Sequence, residues 1–310
     1  MNESEIDPTC DSVESSARRG WEQMIEIALA EDIGGGDITT LATVDPAAFG
    51  RGTIFAKARG VISGIDAAAA VFHRVDPAVE FRPALIAGGV VQPDTLVATV
   101  AGSAVSILAA ERVALNLMQR LSGVATITAQ YVEAVAGTSV RIVDTRKTTP
   151  GWRALEKAAV RHGGGQNHRF NLNDGVLIKD NHLAAVGGSN RVGRAVALAR
   201  QRAPHTLRIE VEVTTLDEVR QALAAGADII LLDNMTVDQM RAAVELIQGK
   251  ALVEASGGVS LATIQSIAAT GVDLISVGAL THSAPALDLS LNFSLDVVPA
   301  DSDDTNTSEA

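Results

Sequence analysis

Sulfur and aromatic side chains are scarce in this chain. Its one cysteine, Cys10, lies in a polar stretch near the N-terminus of a 310-residue sequence. Neither a disulfide framework nor a thiolate metal cluster can be built from it, and a reducing compartment is expected. Phe, Trp and Tyr make up 3%, whereas Ala, Val, Ile, Leu and 27 glycines dominate a chain that is 47% hydrophobic. That balance disfavours a β-sandwich and suits helices wrapped round buried parallel strands. No apolar run reaches the ~18 residues needed to span a bilayer, and Met1–Arg19 is too acidic and polar for a signal peptide. A cytoplasmic protein without a membrane segment is the expectation. Positive charge is in deficit, with 25 Lys and Arg against 37 Asp and Glu, a formal −12. This argues against nucleic acid as the main partner, because a phosphate backbone demands a basic face. Walker A, H-E-x-x-H and G-x-S-x-G motifs are absent, so His162-Gly163-Gly164-Gly165 is no esterase oxyanion loop, despite its outline.

What is present falls into blocks. Residues 1–19 and 300–310 are polar with little to bury, and read as a disordered leader and a disordered acidic tail. Trp21, Ile25 and Leu29 recur at helical spacing until Gly34-Gly35-Gly36 stops the helix. Between Arg51 and Ile107, short apolar runs at Thr53–Ala56, Val90-Val91 and Leu96–Val100 are separated by Gly, Pro and Asp, as in a small strand-rich module. The Gly88–Ile107 stretch has a lipoyl-hairpin outline, but Gln92-Pro93-Asp94 stands where a carrier lysine belongs. Ile107–Ala136 is helical, with Leu108, Val113, Leu117 and Leu121 on one stripe and Arg112, Asn116 and Arg120 offset from it. Beyond lie six apolar runs separated by amphipathic stretches: Val140–Val143, Val176–Ile178, Ile209–Val213, Ile229–Leu232, Ala251–Val253 and Leu274–Val277. This is the βαβ rhythm of a parallel barrel or doubly wound sheet.

Polar clusters mark the ends of these runs: Asp144-Thr145-Arg146-Lys147-Thr148, Lys179-Asp180-Asn181-His182, Glu210 with Glu212, Asp233-Asn234, Glu254-Ala255-Ser256-Gly257-Gly258, and Gly278-Ala279-Leu280-Thr281-His282-Ser283. The carboxyl ends of barrel strands form one mouth, so the clusters converge there although scattered in sequence. Arg161–Arg169 lies between the first two strands; its glycines also serve to end a helix over Arg153–Val160. Arg146, Lys147, His168, Arg169 and Lys179 then crowd one mouth of an acidic protein, which requires an anionic ligand carrying carboxylates and phosphates. Turns at Ser256-Gly257-Gly258 and Gly278-Ala279 sit where barrels bind phosphate through backbone N–H groups. Glu212 and Asp233 suit ribose hydroxyls or, through water, Mg2+ held by a diphosphate; a purely structural pairing of such glutamates with Lys or Arg is the alternative.

From about Trp21 to Phe293 the chain resembles the quinolinate phosphoribosyltransferases. The stretches that carry the resemblance are LAEDIGGGDIT (29–39), ERVALN (111–116), DTRKTT (144–149), NHR (167–169), LIKDNH (177–182), EVEV (210–213), LLDN (231–234), EASGG (254–258) and SVGALTH (276–282). DTRKTT, NHR and LIKDNH in this order are the specific ones. Asn171 stands where glycine is usual, which touches only the local turn. The resemblance implies an α/β protein: a small N-terminal α/β sandwich domain (20–122), an open, irregular (β/α) barrel of fewer than eight strands (123–286), and a segment packing back on the first domain (287–299). It implies transfer of phosphoribosyl from phosphoribosyl pyrophosphate to quinolinate with decarboxylation, giving nicotinate mononucleotide, pyrophosphate and CO2, with Mg2+ on the diphosphate. Arg146, His168 and Arg169 then resemble the residues that bind the quinolinate carboxylates, Lys147 and Lys179 touch acid and phosphates, and Glu212 and Asp233 face the ribose. Thr145, Ser256, Gly257, Gly258, Gly278, Ala279 and His282 complete the binding set. Arg112 corresponds to an arginine that enters a neighbouring subunit's mouth, which implies a homodimer and leaves a higher oligomer open. Three rivals stand beside this reading: a phosphoribosyltransferase for another heterocyclic acid, a Schiff-base aldolase using Lys147 or Lys179, and a non-catalytic phosphosugar-binding protein.

Overall fold

The computed structural model describes the backbone of residues 10–295 and the side chains of residues 21–295. The acidic tail and most of the expected leader lie outside the described residues. Helix α1 (Cys10–Ile33) begins within the stretch 1–19 assigned to the leader, which corrects that boundary. Residues 10–19 contain neither Pro nor Gly, so nothing in them breaks the helix announced by Trp21, Ile25 and Leu29. Ile25 and Leu29 are buried and Trp21 is half-buried.

A short α2 (Ile38–Thr43) follows the glycines, capped by Asp37, whose carboxylate accepts the Thr40 N–H at 3.0 Å. Next come β1 (Phe49–Ala56), β2 (Gly60–Val61), α3 (Ile65–Val75), β3 (Glu80–Pro83), β4 (Val90–Val91), β5 (Leu96–Ser103) and the 31-residue α4 (Ala104–Ala134). Along β1, Gly50, Gly52, Ile54 and Ala56 are buried at alternate positions, the period of a half-covered strand. Helix α3 turns Ile65, Ala68, Val71 and Phe72 inward, and Phe72 stacks on Phe81 of β3 with centroids 5.8 Å apart. On α4 the buried face is Ile107, Ala110, Val113, Ala114, Leu117 and Leu121; Leu108 is only half-buried, one step round from the stripe read from the sequence.

The parallel part comprises β6 (Arg141–Val143), α5 (Arg153–His162), β7 (Val176–Ile178), α6 (Asp180–Val186), α7 (Arg191–Arg202), β8 (Ile209–Val213), α8 (Leu216–Ala224), β9 (Ile229–Asp233), α9 (Val237–Ile247), β10 (Leu252–Ser256), α10 (Ile264–Ala268), β11 (Leu274–Ser276) and α11 (Ala279–His282). The last described strand, β12 (Leu289–Leu295), returns to the first sheet and pairs antiparallel with β1, from Gly50↔Leu295 to Ala56↔Leu289. That sheet runs β12-β1-β5-β3, and β2 and β4 form a separate pair. On its way back the chain crosses α4 at Gly123, where an added Cβ would lie 1.9 Å from the Pro285 carbonyl oxygen. Only glycine permits that approach.

The six parallel strands are ordered β6-β11-β10-β9-β8-β7. Val211, Ile230 and Leu232 are fully buried within them, each worth on the order of 2 kcal/mol. The edge strands β6 and β7 do not pair with each other, so the barrel is open along one seam. A single bridge between Val143 and Gln166 lies there, made by Gln166 N–H to Ile142 O at 2.8 Å and Asp144 N–H to Gln166 O at 3.1 Å. Residues 166–169 therefore enter the seam and carry His168 and Arg169 with them.

Candidate active site at the strand ends

All six parallel strands contribute to a cavity of about 620 Å3 at their carboxyl ends. Thr145, Arg146 and Lys147 follow β6, Lys179 follows β7, Glu212 lies on β8, Asp233 ends β9, Ser256 ends β10 and leads to Gly257 and Gly258, and Ser276 ends β11; His168 and Arg169 enter from the seam. Eleven of the fifteen residues singled out in the sequence thus line one cavity. The other four do not. Gly278 lies just behind the wall, where an added Cβ would meet Lys147 Cδ and His282 Nε2, each at 3.1 Å. Ala279 begins the four-residue α11, and His282 turns its Nδ1 to the Ser283 hydroxyl at 2.5 Å. Arg112 is exposed on α4, with Glu111 4.0 Å away, and stays out of its own chain's mouth.

Buried contacts fix the cations. Asp144 and Lys157, both almost fully buried, pair at 2.5 Å; Asn167 Nδ2 donates to Asp144 Oδ2 at 2.7 Å, and the His168 N–H to Asp144 Oδ1 at 2.8 Å. Burial pulls Asp144 up and Lys157 down in pKa, and their mutual attraction opposes both shifts. The NHR turn is thereby tied to the strand that presents Arg146 and Lys147. Glu156, also buried, accepts from Arg120 at 2.9 Å and from the Thr149 N–H at 3.0 Å, while Arg120 donates to Thr281 O and, at 2.8 Å, to Ala284 O. Asn171 accepts the Asn173 N–H at 3.2 Å, so the turn forms without the usual glycine.

Within the mouth, Arg146 Nε is buried with no hydrogen-bond partner, a donor left for a ligand. Burial, with Arg146 nearby, lowers the pKa of Arg169, and Glu210 opposes the shift. Lys179 Nζ sits 3.2 Å from Glu212 Oε2. Asn234 Nδ2 donates to Asp233 Oδ2 at 2.9 Å. Gly257 has φ +88°, and an added Cβ would fall 2.3 Å from Asn234 Oδ1, so the loop after β10 needs glycine there. Glu210 and Glu254 stand in the strand-end clusters without an assigned role: Glu254 is fully buried, and His168 Nε2 lies 3.6 Å from its Oε2 and 3.0 Å from Glu210 Oε2. Burial first, then the charge of Glu210, raises the Glu254 pKa from 4.5 to about 7; the Ser276 hydroxyl opposes the shift from nearby without completing a hydrogen bond. For His168, burial disfavours the cation, but the Glu210 hydrogen bond and the two glutamate charges outweigh it and raise the ring's proton affinity. Position alone marked Glu254, at the start of EASGG; its burial depends on the barrel's closure round it.

A groove of about 570 Å3 on the flank, walled by β7 and α7, carries Arg169, His182 and Arg202 but no carboxylate. Of these two cavities, the mouth is the one that combines cations, acids and the Gly257-Gly258 loop.

Comparison with known proteins agrees with this geometry. The quinolinate phosphoribosyl transferase N-terminal domain family matches residues 37–122, and its C-terminal domain family matches residues 124–292. A probable nicotinate-nucleotide pyrophosphorylase (carboxylating) of Synechocystis is 49% identical over 268 residues, 86% of this chain and 90% of the relative. Its Bacillus subtilis counterpart is 43% identical over 265 residues, with the same shares. The crystal structure of NadC from Streptococcus pyogenes superposes with a TM-score of 0.85 at 42% identity, covering 89% of this chain and 97% of that one. None of the described helices is long and apolar enough to cross a membrane. From two domain matches in order and relatives similar over most of their length, the chain belongs to the quinolinate phosphoribosyltransferase family, whose activity serves NAD biosynthesis.

Proposed function

We propose that the mouth binds quinolinate and phosphoribosyl pyrophosphate side by side and divides the chemistry among its residues as follows. Arg146 and Arg169 hold the pyridine dicarboxylate by bidentate forks. Lys147 and Lys179 stand between acid and phosphates. Glu212 and Asp233 face the ribose, where loss of pyrophosphate from C1 builds positive charge, so ionised carboxylates stabilise the transition state. Thr145, Ser256 and the backbone of Gly257 and Gly258 cradle phosphate; Gly278, Ala279 and His282 support Lys147 from behind. The observation that carries this reading is the convergence of Arg146, Lys147, Arg169 and Lys179 with the acids Glu212 and Asp233, from strand ends and the seam, on one cavity. Decarboxylation then follows from the N-alkylated ring: C–CO2 cleavage leaves its electron pair on the ring carbon, where the adjacent cationic nitrogen stabilises it, and a proton from solvent completes the C–H bond.

Mg2+ arrives with the diphosphate. Oxygen donors such as Glu212 and Asp233 at adjacent strand ends suit that ion, and Glu212 already faces Lys179 at 3.2 Å, so they would meet it through water rather than as a closed ligand set. Arg112, exposed and outside its own mouth, is assigned to a neighbouring subunit's site in a homodimer. A cytoplasmic setting is our reading of the single cysteine; relatives in Nicotiana and Oryza bear mitochondrial and chloroplastic names.

The test supplies phosphoribosyl pyrophosphate and Mg2+ with quinolinate in one tube and nicotinic acid in another. Nicotinate mononucleotide and CO2 in equal amounts, from quinolinate only, is the expected result. Product from nicotinic acid at a similar rate would show that the second carboxylate is not what the arginines read.

A further inference from the structure

His168 is gripped at four points. Its N–H donates to Asp144 Oδ1 at 2.8 Å, its carbonyl accepts from Lys157 Nζ at 3.2 Å, its Nδ1 accepts the Arg169 N–H at 2.7 Å, and its Nε2 lies 3.0 Å from Glu210 Oε2. A ring nitrogen that accepts a backbone N–H is unprotonated, so the ring proton sits on Nε2 and is donated to Glu210. Neither nitrogen is free to donate into the mouth. We infer that His168 is a positioning residue rather than an anion ligand: Glu210 and Glu254 anchor its ring, and the strut so formed fixes the path by which Arg169 enters the cavity.

The imidazolium alternative fails on geometry. A hydrogen on Nδ1 would face the Arg169 N–H across 2.7 Å. An imidazolium with two carboxylates holds the same number of protons as a neutral ring with one carboxylate and one carboxylic acid. The cluster therefore avoids the clash at constant charge by moving the proton to Glu254. That side chain is fully buried, neither of its oxygens has a hydrogen-bond partner, and it faces Glu210 of β8, His168 of the seam segment, Lys179 beyond β7 and Ser276 of β11. The same tautomer argues against metal binding. Donor atoms of His168, Glu210 and Glu254 lie within 4.8 Å of one another, but the Nε2 lone pair that would take the ion is occupied by hydrogen.

The seam gives the strut its importance. Edge strands β6 and β7 are unpaired with each other, so beyond the Val143–Gln166 bridge the backbone of residues 167–169 depends on side-chain contacts. Among the described residues, the Arg169 side chain reaches only the Gly175 carbonyl, at 3.3 Å. Freeing the His168 ring removes the acceptor of the Arg169 N–H, leaving the segment held by Asp144 and Lys157 at Asn167 and the His168 backbone.

Two measurements test this inference. In full-length protein with 15N-labelled histidine, multiple-bond 15N–1H spectra at pH 7 report each ring's protonation, and a His168→Gln sample identifies the signal. A neutral ring protonated on Nε2 is expected, with and without quinolinate; an imidazolium or an Nδ1–H tautomer in the free protein overturns the inference. The kinetic arm rests on the quinolinate reading. Glu210→Gln keeps an acceptor oxygen for Nε2–H and is expected to leave the quinolinate KM within about threefold, whereas Glu210→Leu raises it roughly tenfold or more with a smaller change in kcat. Equal damage by both would mean that charge, not orientation, is what Glu210 supplies. If Glu210→Leu does not fold, the spectra and Glu210→Gln still decide. Because the free-protein spectra use no substrate, failure of the functional reading would leave the tautomer result standing.

Discussion

Replacing Glu254 by glutamine removes a buried acid and keeps the shape and hydrogen-bonding capacity of its protonated form. In the folded chain this carboxyl titrates at about 7 against an ordinary 4.5. Between those values the unfolded chain has released its proton while the folded chain retains one, so unfolding liberates a proton and stability falls as pH rises. The fall is complete once pH has passed the folded value. At about 1.36 kcal/mol per pKa unit the shift is worth on the order of 3 kcal/mol, most of which is lost between pH 5 and pH 8. For a chain of 310 residues, a loss of that order corresponds to a few degrees in Tm. Melting both proteins across pH 5 to 8 isolates the titration of Glu254 and the groups coupled to it, His168 and Glu210, because the remote titrating groups cancel in the difference. Glu254→Gln is expected to match the parent near pH 5 and to melt progressively higher than it toward pH 8. A pH-independent difference, or a parent that gains on the variant as pH rises, would show that Glu254 is ionised in the folded state.

Other perturbations address separate parts of the account. Lys157→Met leaves Asp144 buried without its ion-pair partner and should cost about 3–5 kcal/mol in urea unfolding; the Asp144→Asn, Lys157→Met double variant should recover part of that loss. Gly257→Ala forces a Cβ at φ +88° to within 2.3 Å of Asn234 Oδ1, so the KM for phosphoribosyl pyrophosphate should rise by about tenfold or more, with a small loss in Tm. Mixing Arg112→Ala subunits with Lys179→Ala subunits, each nearly inactive alone, should restore a fraction of activity through sites that are intact in the mixed dimer; no recovery would place Arg112 outside the site.

Much of the site was readable because parallel strands are buried on both faces. Polar residues along them concentrate at the ends, and runs such as Ile229–Leu232 closed by Asp233-Asn234 show where the mouth lies. The seam was not readable in this way: Gln166 bridges to Val143 through backbone atoms, which no side-chain pattern records. Lys157 sits on a helix where lysine usually faces water, yet it is buried because Asp144 meets it from β6. The sequence reading made His168 one more cation at the mouth; only the positions of the Arg169 N–H and Glu210 reveal that both ring nitrogens are engaged. Gly278, Ala279 and His282 follow a strand like the other clusters, but α11 begins at once and turns His282 away from the cavity. Arg112 is exposed and outside its own chain's mouth, so the single chain gives it no contact with the site.

The most direct measurement is a crystal structure of the chain with quinolinate bound. Both carboxylates are expected in the mouth, with Arg146 Nε at last paired within about 3 Å, Arg169 and Lys179 on the same dianion, and no ring nitrogen of His168 within reach of it. Quinolinate in the flank groove beside β7, or in the mouth with Arg146 Nε still unpaired, would contradict the account.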